Sequence, residues 1–229
     1  MKLRVQFEKR VPLSFSSHRD VVRIVQRGIA AAGIPIAYST GYHPHMRMSF
    51  GPPLKTGWEG FDEYLDVQFT EPVASFTDRC NLFMPGGLKF LSGSEIDPGT
   101  PKLANDICAA DYRVWVRLDE LDGGGDWDDG RLAETSRQAA DRLGTGGVED
   151  ESTPELISVT ARAGDGALTI DYKTSMRAGR VVSPLEVLEA FVSPADYPTP
   201  PRVSRQAQYV SRDGEYLSPL SDTVIQGQS

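Results

Sequence analysis

The sequence predicts an α+β fold made of two tandem ferredoxin-like units, each running βαββαβ. Three observations lead there. Short segments that alternate apolar and polar residues recur along the chain and mark strands. Helix-period stripes lie between them. The same order of elements occurs on both sides of Pro98-Gly-Thr-Pro101. Two units account for 229 residues without a long structureless loop. No residue-level repeat links the halves, so the duplication rests on element order alone.

In the first unit, Leu3-Arg-Val-Gln-Phe alternates as a strand. A helix is expected from Ser17 to Ala32, with Val21, Val22, Ile24, Val25, Ile29 and Ala32 as its apolar stripe. Ser17 and Asp20 have capping-box spacing, and Gly33 is a C′ stop. Strands follow at Met46-Arg-Met-Ser-Phe and Glu63-Tyr-Leu-Asp-Val-Gln-Phe. A helix over 73–83 and a strand at Leu88-Lys-Phe-Leu-Ser complete the unit.

In the second unit, Tyr112 to Leu118 reads as a strand and Arg131 to Leu143 as a helix. Leu156 to Ala161 and Ala167 to Tyr172 form a hairpin through Gly164-Asp-Gly166. Pro184 to Val192 is a helix capped by Ser183, and Val203 to Val210 closes the unit as a strand. The resulting organisation is 1–97 for the first unit, 98–109 for a linker, 110–212 for the second unit and 213–229 for a mobile tail. Residues 144–154 are expected to be mobile as well.

The net charge of −8 is unevenly spread. Residues 1–58 hold nine Lys or Arg against Glu8 and Asp20, a segment charge of +7, which leaves −15 for the rest. All three histidines, His18, His43 and His45, fall in the basic segment. An acidic chain with one basic segment suggests an anionic ligand there, although scattered surface arginines would look the same. No apolar run is long enough to span a membrane. The N-terminus alternates as a strand would and lacks the apolar core of a signal peptide. Cys80 and Cys108 show neither metal nor disulfide spacing, so a reducing cytoplasm is the expected location.

The segment richest in candidate chemistry is Ile34 to Leu54, which joins a helix to a strand and concentrates Gly, Pro, Tyr and His. In an extended segment His43 and His45 would share a face, with Arg47 continuing it. Ser39, Thr40 and Tyr42 add hydroxyl groups. Ser17-His-Arg-Asp20 is the second cluster. It reads either as a plain helix cap or as a cap plus an anion site at a helix N-terminus. Arg4 and Arg23 are expected to join Ser17, His18, Ser39, Tyr42, His43, His45 and Arg47 in holding a ligand. His18, Asp20, His43 and His45 are the candidates for acid–base catalysis. A third set, Lys173, Arg177, Arg180, Arg202, Arg205 and Arg212, reads as a basic rim or as ordinary surface charge. Glu63 and Asp66 fall on opposite faces of one strand and are not a carboxylate pair. No metal site is assigned, and no P-loop, GxGxxG or GxSxG occurs.

Residues 4–95 resemble the radical-SAM-linked protein family, a domain of unknown function found beside or fused to B12-binding radical SAM proteins. The likeness lies in Ser17-His18-Arg19-Asp20, in Ala31-Ala-Gly-Ile-Pro-Ile-Ala-Tyr-Ser39 and in Gly41-Tyr-His-Pro-His-Met-Arg-Met-Ser-Phe50. Glu63-Tyr-Leu-Asp66 and Pro85-Gly86 complete it. Arg19 stands where the family usually has an apolar residue, and Met46 where it often has proline. The resemblance implies a partner, because two distant cysteines cannot supply the CxxxCxxC run that holds a radical SAM cluster. That partner would carry the [4Fe–4S] cluster, SAM and cobalamin; the chain itself is expected to need no cofactor. The family's usual gene setting implies an RNA substrate.

Three functions follow as expectations. The chain is an accessory protein that binds RNA and presents it to a radical SAM enzyme. Alternatively, it is an RNA-processing enzyme in which His18 and His43 or His45 act as base and acid. Or it is a partner subunit of a radical SAM enzyme that binds no nucleic acid, which the overall charge favours. Whether the chain is itself an enzyme stays open.

Overall fold

The computed structural model describes residues 1–121, 127–144, 153–176, 180–197 and 199–221. It is a mixed α+β protein of nine strands and few helices among the described residues. It divides into two compact units. The first holds residues 1–107 with the described residues from 207 onward, and the second holds 108–206.

The first unit runs β1 (Lys2–Lys9), α1 (His18–Ala31), β2 (Met48–Phe50), β3 (Glu59–Gln68), α2 (Phe76–Asn81) and β4 (Leu88–Ile96). Strand β1 pairs antiparallel with both β4 and β3, and β2 pairs antiparallel with β3. Alternation then sorts the side chains into two faces. Leu3, Val5, Phe7, Leu65 and Val67 turn to one face, where Val21, Val25 and Ile29 of α1 and Phe76 and Cys80 of α2 bury them. Each such aliphatic side chain contributes about 1.5–3 kcal/mol on burial. Helix α1 starts where Ser17 Oγ accepts the Asp20 N–H, and Gly33 follows its C-cap at φ 62°. Helix α2 is shorter than the 73–83 span predicted, because Ser75 at its N-cap has a left-handed backbone (φ 50°).

The opposite face of this sheet is polar and buried. Arg4 stands across from Asp66, and Gln6 from Tyr64. It is covered by α3 (Leu103–Asp106), by the approach to it, and by the chain after β8 (Arg202–Arg212). Lys2 Nζ donates to the Thr100 carbonyl (3.3 Å), and Arg4 donates to the carbonyls of Pro101 and Pro219 (3.4 Å each). The Gln208 N–H donates to the Asp62 carboxylate at 2.7 Å. After β8 the chain turns through Asp213 and Gly214, both at positive φ, into β9 (Glu215–Leu217), which pairs with β8.

These contacts revise two boundaries. Of residues 98–109, expected as a linker, 98–107 include α3 and belong to the first unit. Residues 213–221, expected as the start of a mobile tail, form a strand and a buried turn at Pro219. The physical reason is Arg4: its guanidinium has more donors than Asp66 can accept, and carbonyls distant in sequence complete them.

The second unit runs β5 (Ile107–Arg117), α4 (Asp129–Leu143), β6 (Leu156–Gly164), β7 (Ala167–Ser175), α5 (Pro184–Leu188) and the 202–206 part of β8. Strand β7 lies between β5 and β6, antiparallel to both. Asp165 and Gly166 carry positive φ at the β6–β7 turn. The Asp128 carboxylate caps α4, and a Ser183/Glu186 capping box opens α5. Tyr112 and Tyr172 stack at 5.5 Å among the buried residues of this unit. Of residues 144–154, expected to be mobile, 145–152 lie outside the described residues.

Candidate functional site

The first unit carries two features with chemistry, a recess beside the start of α1 and an exposed loop before β2. Phe7, Lys9, His18, Phe50 and Glu63 line the recess, and Pro52 to Leu54 form its apolar rim. About 20 Å³ at its floor is deep enough for one water. Lys9 and Glu63 are 4 % and 6 % exposed, an unusual burial for two charges. Lys9 stands across from Gly60 in the β1–β3 register. The Glu63 carboxylate rests on the same Gly60, where a Cβ would fall 2.4 Å from Oε1. Lys9 Nζ also donates to the Ser14 carbonyl at 3.4 Å.

The His18 imidazole lies edge-on to the Phe50 ring, with centroids 5.4 Å apart. Burial, followed by the nearby Lys9 charge, lowers its pKa from 6.5. At neutral pH the ring is thus uncharged and offers one donor and one acceptor. Asp20 is engaged elsewhere. Its carboxylate accepts the Ser17 hydroxyl at 2.7 Å and lies 3.8 Å from Arg23, so it belongs to the cap.

The loop is held at its base and open at its tip. Ile36 bridges to Phe69, and Tyr38 to Met46. The Ser39 N–H donates to the His45 carbonyl (2.8 Å), and the His45 N–H donates to Ser39 Oγ (2.9 Å). Tyr42 at the tip is fully exposed. His43, His45 and Arg47 are exposed too, and the Arg47 guanidinium donates to the Gln68 side chain at 3.3 Å. Neither His43 nor His45 lines the recess beside His18, so the structure does not assemble the histidines into one centre. Among the described residues, no group of three or more His, Cys, Asp or Glu is arranged to hold a metal.

Residues 2–176 match a family described as an uncharacterized protein conserved in bacteria (DUF2344). The chain belongs to this family. The DUF2344 match contains both recess and loop and ends before α5. No curated protein matches. Two solved structures share distant likeness. An unknown protein from Galdieria sulphuraria is 10 % identical over 82 % of this chain and 88 % of its own, at a TM-score of 0.22. A candidate glycine cleavage system transcriptional repressor is 13 % identical over 83 % and 87 %, at 0.23.

Other expected site residues of the DUF2344 chain lie elsewhere. Arg4 is fully buried, in a two-bond pair with Asp66 (2.8 and 3.2 Å), and cannot meet a ligand. Arg23 is exposed on α1 in line with Arg19 and Arg27, four residues apart and therefore on one helical face. In the second unit Lys173 pairs with Asp111 at 3.6 Å, Arg180 is exposed and Arg202 covers the Trp115 ring at 5.0 Å. Arg205 is fully buried, Arg212 pairs with Asp106 at 2.9 Å, and Arg177 lies outside the described residues. A basic rim drawn from all six does not form, because two of them are held in place inside their own units.

Sequence reasoning did not single out Lys9, weighed Glu63 only as a partner for Asp66, and named Arg23 without its alignment with Arg19 and Arg27. The signal was present in each case. Lys9 continues the Leu3-Val5-Phe7 parity, Glu63 precedes Leu65 and Val67 on theirs, and Arg19, Arg23 and Arg27 have helical spacing.

Proposed function

We propose that this DUF2344 protein is an RNA-binding accessory protein that presents its ligand to a radical SAM enzyme. The observation that carries the RNA part is Tyr42, fully exposed at the tip of a loop pinned at its base. An aromatic ring held out in water has no packing role. Flanked by His43, His45 and Arg47, it suits a base stacked on the ring and phosphates on the cations. Six of the nine basic residues in 1–58 are exposed, Arg10, Arg19, Arg23, Arg27, Arg47 and Lys55. They supply the sequence-independent attraction. The radical SAM part rests on the resemblance carried by Ser17 to Asp20 and Gly41 to Phe50. The finer fold reading, two tandem ferredoxin-like units, draws support from the element order β1-α1-β2-β3-α2-β4 and β5-α4-β6-β7-α5-β8.

Fluorescence anisotropy with labelled single-stranded RNA across a salt series tests this reading. Affinity should fall linearly on a log–log plot by about 0.7 per phosphate contacted. Arg23→Ala and Arg47→Ala should each reduce the slope, and the paired change Arg4→Met with Asp66→Leu should leave it unchanged, because Arg4 is interior. Co-purification from a lysate should recover a radical SAM protein together with RNA. Absence of RNA binding at low salt refutes the proposal and favours a partner subunit without nucleic acid. Cleavage of the RNA during incubation would favour the acid–base enzyme.

A further inference from the structure

We infer that Arg19, Arg23 and Arg27 on α1 form a track for consecutive phosphates of the single RNA strand that Tyr42 holds by a base. The inference rests on the RNA-binding reading above and names what the strand must offer, an unbroken run of backbone charge that is read without regard to base.

The geometry of the track comes from the helix itself. Residues four apart on an α-helix have Cβ atoms about 5–6 Å from one another and share a face. All three arginines are exposed, while the opposite face of α1 buries Val21, Val25, Gly28 and Ile29. The row therefore points away from the core. A guanidinium is a planar fork that takes two phosphate oxygens at once. Three forks in line suit a polymer that carries a negative charge on every backbone unit.

The row is electrostatically unfavourable to the free protein. Like charges four apart on a helix cost about 0.2–0.5 kcal/mol a pair. Arg19, in the first turn, also opposes the helix dipole. Asp20 is the one carboxylate on α1, and it accepts the Ser17 hydroxyl. It lies 3.8 Å from Arg23, an exposed pair of little strength. Among the described residues, no carboxylate pairs with Arg19 or Arg27. Helix α4 shows the ordinary arrangement. It is of similar length, carries Asp129, Glu134 and Asp141 beside Arg131, Arg137 and Arg142, and pairs Arg137 with Glu134. In a chain of net charge −8, carboxylates could have neutralised α1 in the same way. A polyanion that supplies the missing charge on binding accounts for a repulsive row without them.

Track and loop belong to one unit and follow one another in the chain. Arg27 is one turn from the end of α1 at Ala31, and bridges at Ile36 and Tyr38 then fix the base of the loop. One strand can therefore occupy both. It has to be a single strand, because stacking on Tyr42 takes an unpaired base.

The test is anisotropy across a salt series, with the full chain and the shortest labelled oligouridylate that reaches full affinity. Arg19→Gln, Arg23→Gln and Arg27→Gln should each lower the salt slope by about 0.7, and the triple variant by roughly 2. Arg137→Gln on α4, in the second unit, should leave the slope unchanged. Replacing three consecutive phosphates with uncharged methylphosphonates should lower the slope of the native chain by the same amount as the triple variant. The same replacement should cost the triple variant nothing further. The single variants decide the question if the triple variant fails to fold. Equal slopes for native and substituted chains, with RNA still bound, overturn the track and leave the RNA reading standing. A methylphosphonate run that costs native and triple variant equally does the same. No binding of any oligomer at low salt overturns the RNA reading, and the track with it.

Discussion

Removing Asp66 should destabilise the first unit far more than a surface carboxylate would. Asp66 is 2 % exposed and Arg4 is 0 %, so Asp66→Ala leaves a guanidinium in the interior. The lost contacts are Nε to Oδ1 at 2.8 Å, Nη2 to Oδ2 at 3.2 Å and the Lys2 ammonium at 3.4 Å. What stays is Asp106 at 3.8 Å and the carbonyls of Pro101 and Pro219 at 3.4 Å, all long for a charge-assisted bond. Breaking one side of a buried pair costs about 3–5 kcal/mol. That is a large share of an ordinary domain's 5–15 kcal/mol, roughly. The double variant Arg4→Met with Asp66→Leu removes both charges and should recover most of the loss. Urea unfolding followed by far-UV circular dichroism reads both variants on one scale. A cost for Asp66→Ala below about 1 kcal/mol, the value of an exposed pair, would refute the assignment of Arg4 to the interior.

Other consequences are open to equally direct measurement. Tyr42→Ala should weaken RNA binding by about 1–3 kcal/mol, the worth of one stacked base, and leave the melting temperature unchanged, because the ring is fully exposed. His18 is depressed in the folded state, so the unfolded chain takes up its proton first as pH falls below 6.5. Stability should therefore drop with acidification from that point down through the lower folded pKa, and His18→Gln should flatten this part of a pH series of melting temperatures. Gly87 sits at φ 89°, with the Arg10 carbonyl 2.7 Å from where a Cβ would stand. Gly87→Ala should cost roughly 1–3 kcal/mol in thermal unfolding.

The elements that proved legible from the sequence owe it to local physics. Helix α1 runs His18–Ala31 between the Ser17 cap and Gly33, because a capping side chain and a left-handed stop act within a few residues. The β6–β7 hairpin turns at Asp165-Gly166 for the same reason. The span of α2 was less legible, since no residue type announces a left-handed Ser75. Of the candidate site, the loop from Tyr38 to Arg47 was visible in its composition, and its tip at residues 40–45 is exposed. The recess went unread, although its two charges break the apolar parity of β1 and β3.

The sequence by itself determined the order of the main strands and helices, which strand residues share a face, and that the first unit concentrates histidine and positive charge. Alternation says which residues share a face but not what covers it. Only the tertiary structure decided that Arg4 is interior, that the Glu63 carboxylate rests on Gly60, and that the 213–221 segment folds back on the first sheet. The physical reason is separation: Arg4 meets Asp66 across 62 positions and Pro219 across 215. Pairings over such spans depend on how distant segments jointly satisfy a buried charge, and no local pattern encodes that.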